Sequence, residues 1–136
     1  MNRSAIRELA FKLIYSLEIQ KQENLNEQIM LFLESNDITD TKAILYIENT
    51  IKGINEHLDE IVNLIQKNLK AGWEIDRVSR IDLSLLKLAI YEIKYTDVPY
   101  KVAINEVVEL AKKYGEDTSK TFINGILAVV VKEIGE

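Results

Sequence analysis

Cysteine is absent from this 136-residue chain, which removes disulfides, thiol chemistry and thiolate metal sites together. Histidine occurs once, at His57, and a lone imidazole is neither a metal cluster nor a catalytic triad. No GxxxxGKS/T phosphate loop, GxGxxG turn or HExxH pair is present, so phosphate cradles and zinc-hydrolase sites are missing too. The acidic neighbours Asp59-Glu60 and Glu116-Asp117 are the kind of pair that is usually solvated rather than engaged in acid–base work. The expectation is a protein that is not an enzyme, with no metal and no cofactor. Apolar runs fall short of the ~18 residues that a membrane span needs. The opening MNRSAIRELAFKLIY lacks a signal peptide's continuous apolar segment and cleavage site, so the expected location is cytoplasmic. Proline also occurs only once, at Pro99, and breaks the helical pattern at one place alone.

What is present is helical periodicity. Apolar residues make up 47% of the chain, enough for one core at this length and too little for two. From Arg3 to about Gln20, a stripe of Ile6, Leu9, Ala10, Leu13 and Leu17 is widened by Ile14. Arg3 and Arg7 share a face of that helix, near its start. Positive charge there opposes the helix dipole unless an anion lies nearby, so the pair reads as solvated side chains or as anion contacts. Asn24 or Asn26 begins a second helix, and Ser35-Asn36-Asp37 breaks it. A third starts near Asp40 and continues to Leu69, with a kink or short break at Gly53 and Asn55. Trp73 reads as a cover for a core edge before a stacking platform. The segment Ile81 to Ile93 carries two apolar stripes, which predicts a central helix buried on more than one side. Strand signals are weak, and the expected class is all-α, a compact bundle of six or seven helices.

Net charge is −5, which argues against a nucleic-acid partner until the distribution is considered. Residues 1–17 carry three basic side chains against one acidic, residues 18–60 carry three against ten, and residues 61–136 balance at eleven each. The acidity is therefore confined to one third of the chain, and its two ends can still share a basic patch.

The densest information lies from Asp97 to Leu127, DVPYKVAINEVVELAKKYGEDTSKTFINGIL. Pro99 predicts that the preceding helix ends near Thr96. Ala103, Val107, Leu110, Ala111 and Tyr114 line one face of the next helix. Gly115 then offers a left-handed C-terminal cap, and Asp117, Thr118 or Ser119 an N-cap for the last helix. Gly125 sits inside that helix at a cost of about 1 kcal/mol against alanine. Close packing or a ligand near the backbone must offset this cost.

VPYKVAINEVVELAKKYG followed by FINGIL resembles the C-terminal half of the NusB family of bacterial transcription antitermination factors. RSAIRELAFKLIYSLE and WEIDRVSRIDLSLLKLAIYE resemble the family's first and central helices, and residues 22–70 match by pattern alone. The resemblance implies two packed helical subdomains, about 1–72 and 73–136, as a monomer or homodimer. It implies binding of boxA-type single-stranded RNA in ribosomal RNA transcripts, together with the ribosomal protein NusE, within an antitermination complex on RNA polymerase. Arg3, Arg7, Lys120, Thr121 and Phe122 match the family's RNA-contacting positions, with Asn124 and Gly125 near them, and Tyr15 and Asp82 match its NusE-facing positions. Phe122 reads equally as a stacking surface or as core. Only two arginines open the chain, and Thr121 stands where a lysine often precedes the motif phenylalanine. Both departures imply weaker intrinsic RNA binding. On this reading Arg7→Ala weakens RNA binding and leaves the fold intact. The competing expectation is a protein-only adaptor that docks a basic partner through the acidic residues 18–60.

Overall fold

A computed structural model describes residues 1–20 and 24–135. Among these the chain forms seven α-helices: α1 (Arg3–Ile19), α2 (Leu25–Ser35), α3 (Thr41–Glu56), α4 (Leu58–Gln66), α5 (Arg80–Tyr95), α6 (Tyr100–Tyr114) and α7 (Ser119–Ile134). A short 3-10 turn (Ile75–Arg77) precedes α5. Four helices start on a side-chain cap. Asn2, Asn24, Asp40 and Ser79 accept hydrogen bonds from the backbone N–H of Ala5, Glu27, Lys42 and Asp82 at 2.8, 3.0, 2.9 and 3.1 Å. Each such cap is worth about 1 kcal/mol.

The central helix is where the two apolar stripes place it. α5 is buried without interruption from Asp82 to Ile90 and packs against α1, α3, α4, α6 and α7. Each fully buried Leu or Ile there contributes about 1.5–3 kcal/mol. Thr96 ends it, as the proline predicts. Phe11, absent from the α1 stripe read from the sequence, is buried and lies 5.2 Å from the Tyr114 ring. It joins α1 to the end of α6.

Several local expectations are corrected. α3 runs through Gly53, and the break to α4 falls at His57, whose ring stacks on Tyr95 at 3.8 Å. Gly53 is needed for a crossing instead, since a Cβ there would lie 2.2 Å from the Tyr91 ring. Gly115 is not left-handed (φ −91°). A side chain at 115 would meet the Ser119 hydroxyl at 2.6 Å, and that hydroxyl accepts from the Glu116 N–H rather than capping α7. Thr118 occupies the N-cap position without a side-chain bond. Trp73 is 41% exposed rather than at a core edge, with the Arg77 guanidinium 5.3 Å over its ring. Gln66 holds that loop, donating to the Trp73 carbonyl and accepting from the Ile75 N–H, both at 2.9 Å. No helix among the described residues is long and apolar enough to cross a membrane.

The two mid-helix glycines differ. Among the described residues, nothing lies within 4 Å of where a Cβ on Gly125 would stand. Gly125→Ala should therefore raise stability by about 1 kcal/mol, the helix-propensity gain. Gly53→Ala should lower it, because displacing Tyr91 costs about 1–3 kcal/mol. Thermal and urea unfolding followed by circular dichroism measures both, and equal shifts would contradict the packing at Gly53.

Candidate nucleic-acid interface

Residue 7, in the second turn of α1, faces the interior, so its arginine is buried with 2% exposure. Its Nε and Nη2 donate to the two carboxylate oxygens of Glu92 on α5 at 2.7 and 3.2 Å. Nη1 donates to Glu106 of α6 at 2.7 Å. The Tyr46 hydroxyl of α3 donates to Glu92 at 3.1 Å, and the Ser4 hydroxyl donates to Glu106 at 2.5 Å. Four helices thus meet on one guanidinium. Burial works against its charge, but the hydrogen bonds and charge of Glu92 outweigh burial and hold Arg7 protonated beyond the usual arginine range. Burial, then the Glu92 charge, pushes the Tyr46 phenol well above its ordinary value, so it stays a donor. Arg7 is consequently neither a solvated side chain nor free to hold a phosphate. Its donors are engaged inside the protein, and the expectation that it can be removed without structural consequence is corrected.

α6 lies between α1 and α7. Glu8 of α1 accepts from Lys113 at 2.8 Å and from the Tyr114 hydroxyl, and these two bonds hold its carboxyl below the usual range. Two clefts flank α6. One of about 570 Å³ is lined by Asn2, Ser4, Glu106, Glu109 and Lys112. The other, of about 460 Å³, is lined by Asn105, Glu109, Lys112, Lys120 and Asn124. The opening turn of α1 and the first half of α7 therefore border one surface, joined across Glu109 and Lys112 rather than in direct apposition.

On α7 the residues Lys120, Thr121, Asn124 and Gly125 are all exposed and, at i, i+1, i+4 and i+5, form one stripe. Lys120 makes no ion pair among the described residues. Phe122 packs against the core with part of its surface left open, flanking that stripe beside Gly125, three residues on. Arg3 is exposed, but leans to the far side of α1, 5.6 Å over the Tyr46 ring. The residues that sequence reasoning missed are Glu92, Tyr46 and Lys112. Only Glu92 carried a signal, as a carboxylate within the most apolar helix.

Tyr15 and Asp82 lie on α1 and α5, which pack together. Tyr15 is half-buried, 6.3 Å from the Phe11 ring. Asp82 is 9% exposed, and its Oδ1 is buried without a hydrogen-bond partner among the described residues.

A family model described as NusB family matches residues 4–132. The transcription antitermination protein NusB of Acetivibrio thermocellus is 49% identical over 97% of this chain and 90% of its own length. That of Ruminiclostridium cellulolyticum is 45% identical with the same coverage. Among solved structures, T. maritima NusB superposes with a TM-score of 0.88 at 35% identity, over 98% of this chain and 92% of that one. A crystal structure of antitermination factors NusB and NusE in complex with double-stranded RNA reaches 0.86 at 26% identity, over 96% of each chain.

Arg7→Ala should cost about 3–5 kcal/mol, because it strands a buried carboxylate. Arg3→Ala, which removes one exposed cation–π contact, should cost about 0.5–1 kcal/mol. Urea unfolding of the two variants compares them directly, and equal small losses would place Arg7 in solvent.

Proposed function

The chain belongs to the NusB family, and on that premise we propose that it works as a transcription antitermination factor by binding alone, without turnover. It binds boxA-type single-stranded RNA of ribosomal RNA transcripts together with NusE, within the complex that helps RNA polymerase resist termination. The observation that carries this reading is Gly125. No packing among the described residues offsets its helical cost, which favours a ligand approaching the backbone beside Lys120, Thr121 and Asn124.

The roles follow from the chemistry of each side chain. Lys120 and Arg3 hold phosphates, which position a strand without reading it. The Asn124 amide, with both donors and an acceptor, pairs with an unstacked base edge. Unpaired bases are what sequence-specific RNA recognition reads, since the A-form major groove is too narrow for side chains. The open part of Phe122 stacks on a neighbouring base. Arg7 touches no RNA; it positions Ser4 and the first turn of α1 through Glu106. Tyr15 and Asp82 face NusE, where a donor from a basic protein satisfies the unpartnered Asp82 oxygen.

Titration of labelled boxA-like, scrambled and duplex RNA, with and without NusE, tests this. Selective binding of the single-stranded boxA-like RNA that tightens with NusE is expected. With two phosphate contacts, the slope of log affinity against log salt should be shallow, about −0.7 per phosphate. Equal, negligible binding to all three RNAs under both conditions would leave only the protein adaptor. Gly125→Ala separates binding from folding. It should weaken RNA binding several-fold, about 1 kcal/mol, while the same variant is more stable than the parent.

A further inference from the structure

A third cleft, of about 590 Å³, opens on the other side of the first turn of α1, between α1, α3 and α5. Arg3, Lys42, Leu45, Tyr46, Asn49 and Tyr91 line it. We infer that the bound RNA strand bends around the first turn of α1, past Arg3, and continues into this cleft, where Lys42 holds its next phosphate and Asn49 meets its next base. The inference rests on the RNA-binding reading above and extends the footprint to α3, which that reading does not use.

Charge is the first argument. Among the described residues one carboxylate lines this cleft, Glu92, and it is already taken up by Arg7 and Tyr46. Asp40, at the N-cap of α3 and outside the lining, accepts from the Lys42 N–H at 2.9 Å and pairs with the N-terminal amine at 3.6 Å. The side chains of Arg3 and Lys42 are exposed and have no carboxylate partner among the described residues. Two uncompensated cations therefore face one cleft in a chain whose net charge is −5.

Shape and continuity are the second. The volume lies within the roughly 300–1,000 Å³ typical of small-ligand clefts, room for one nucleotide. The Arg3 guanidinium rests over Tyr46, and a guanidinium plane held flat is itself a stacking surface for a base. Asn49 is exposed, and its backbone carbonyl accepts from the Tyr91 hydroxyl at 3.3 Å, which ties that turn of α3 to α5. Asn2 and Ser4 line the neighbouring cleft beside α6, so a single turn of helix separates the two. An extended strand seated against α6 and α7 reaches the α3 cleft by passing that turn.

The test compares a core boxA-like RNA with versions extended by about three nucleotides at the 5′ or 3′ end. One extension should tighten binding to the parent protein. Lys42→Gln should abolish that gain, lose about threefold to tenfold in affinity for the extended RNA alone, and reduce the salt slope by about 0.7. Lys120→Gln should weaken core and extended RNA alike. If Lys42→Gln matches the parent on every RNA while Lys120→Gln does not, the inference is overturned and the RNA-binding reading stands. If neither the core nor the extended RNA binds the parent protein, with or without NusE, both fall. Unchanged circular dichroism and melting of Lys42→Gln, whose side chain makes no ion pair among the described residues, exclude unfolding as the cause.

Discussion

The buried pair of Arg7 and Glu92 is the constraint on which the arrangement of helices depends. Removing a guanidinium and a carboxylate from water costs several kcal/mol per ion, and the interior repays it only with well-aligned bonds on nearly every donor and acceptor. Here the fork is bidentate on Glu92, the spare Nη1 reaches Glu106, and Tyr46 takes the remaining approach to Glu92. Those partners sit on α5, α6 and α3. A shift of any one helix by a fraction of a turn would leave a charge unpaired. An apolar core tolerates sliding more readily, because dispersion is not directional. The pair therefore sets register, even where its net contribution to stability is small.

That register sorts the cations. With Arg7 drawn inside, α6 is held against the first turn of α1, and Glu8 binds Lys113 on the same seam. Lys112 lies beside Glu109 in an exposed pair at 2.8 Å, an arrangement worth about 0–1 kcal/mol and easily exchanged for another partner. Among the described residues, Lys120, Arg3 and Lys42 are left without carboxylates. The resulting surface is locally cationic although the chain is acidic, and local charge governs where a polyanion settles.

The glycines and Asp82 carry the same lesson from the other side. A helix interior spends stability on glycine only where something must come close. At Gly53 the close neighbour is Tyr91, inside the fold; at Gly125 the described residues supply none. Asp82 keeps a buried oxygen without a donor among the described residues, although Ser79 caps the same turn correctly. Unsatisfied groups and unexplained propensity costs mark surfaces that an isolated chain leaves incomplete.

The sequence by itself determined the helices, because their signals are local. Apolar spacing, Asn2, Asn24, Asp40 and Ser79 at helix starts, and Pro99 at the one sharp stop all act within a few residues. The double stripe of α5 was enough to place it at the centre, and the motif from Val98 to Leu127 was enough to show the resemblance that the family match and relatives bear out. Only the tertiary structure decided which charges face water. Arg3 and Arg7 are indistinguishable by type and share a face by spacing, yet one is exposed and the other buried, because Glu92 lies 85 positions away in the chain. Lys42 likewise belongs to the most acidic third of the sequence and ends beside Arg3 in a cationic cleft. Electrostatic partners are chosen by distance in space, and nothing in a window of ten residues encodes it.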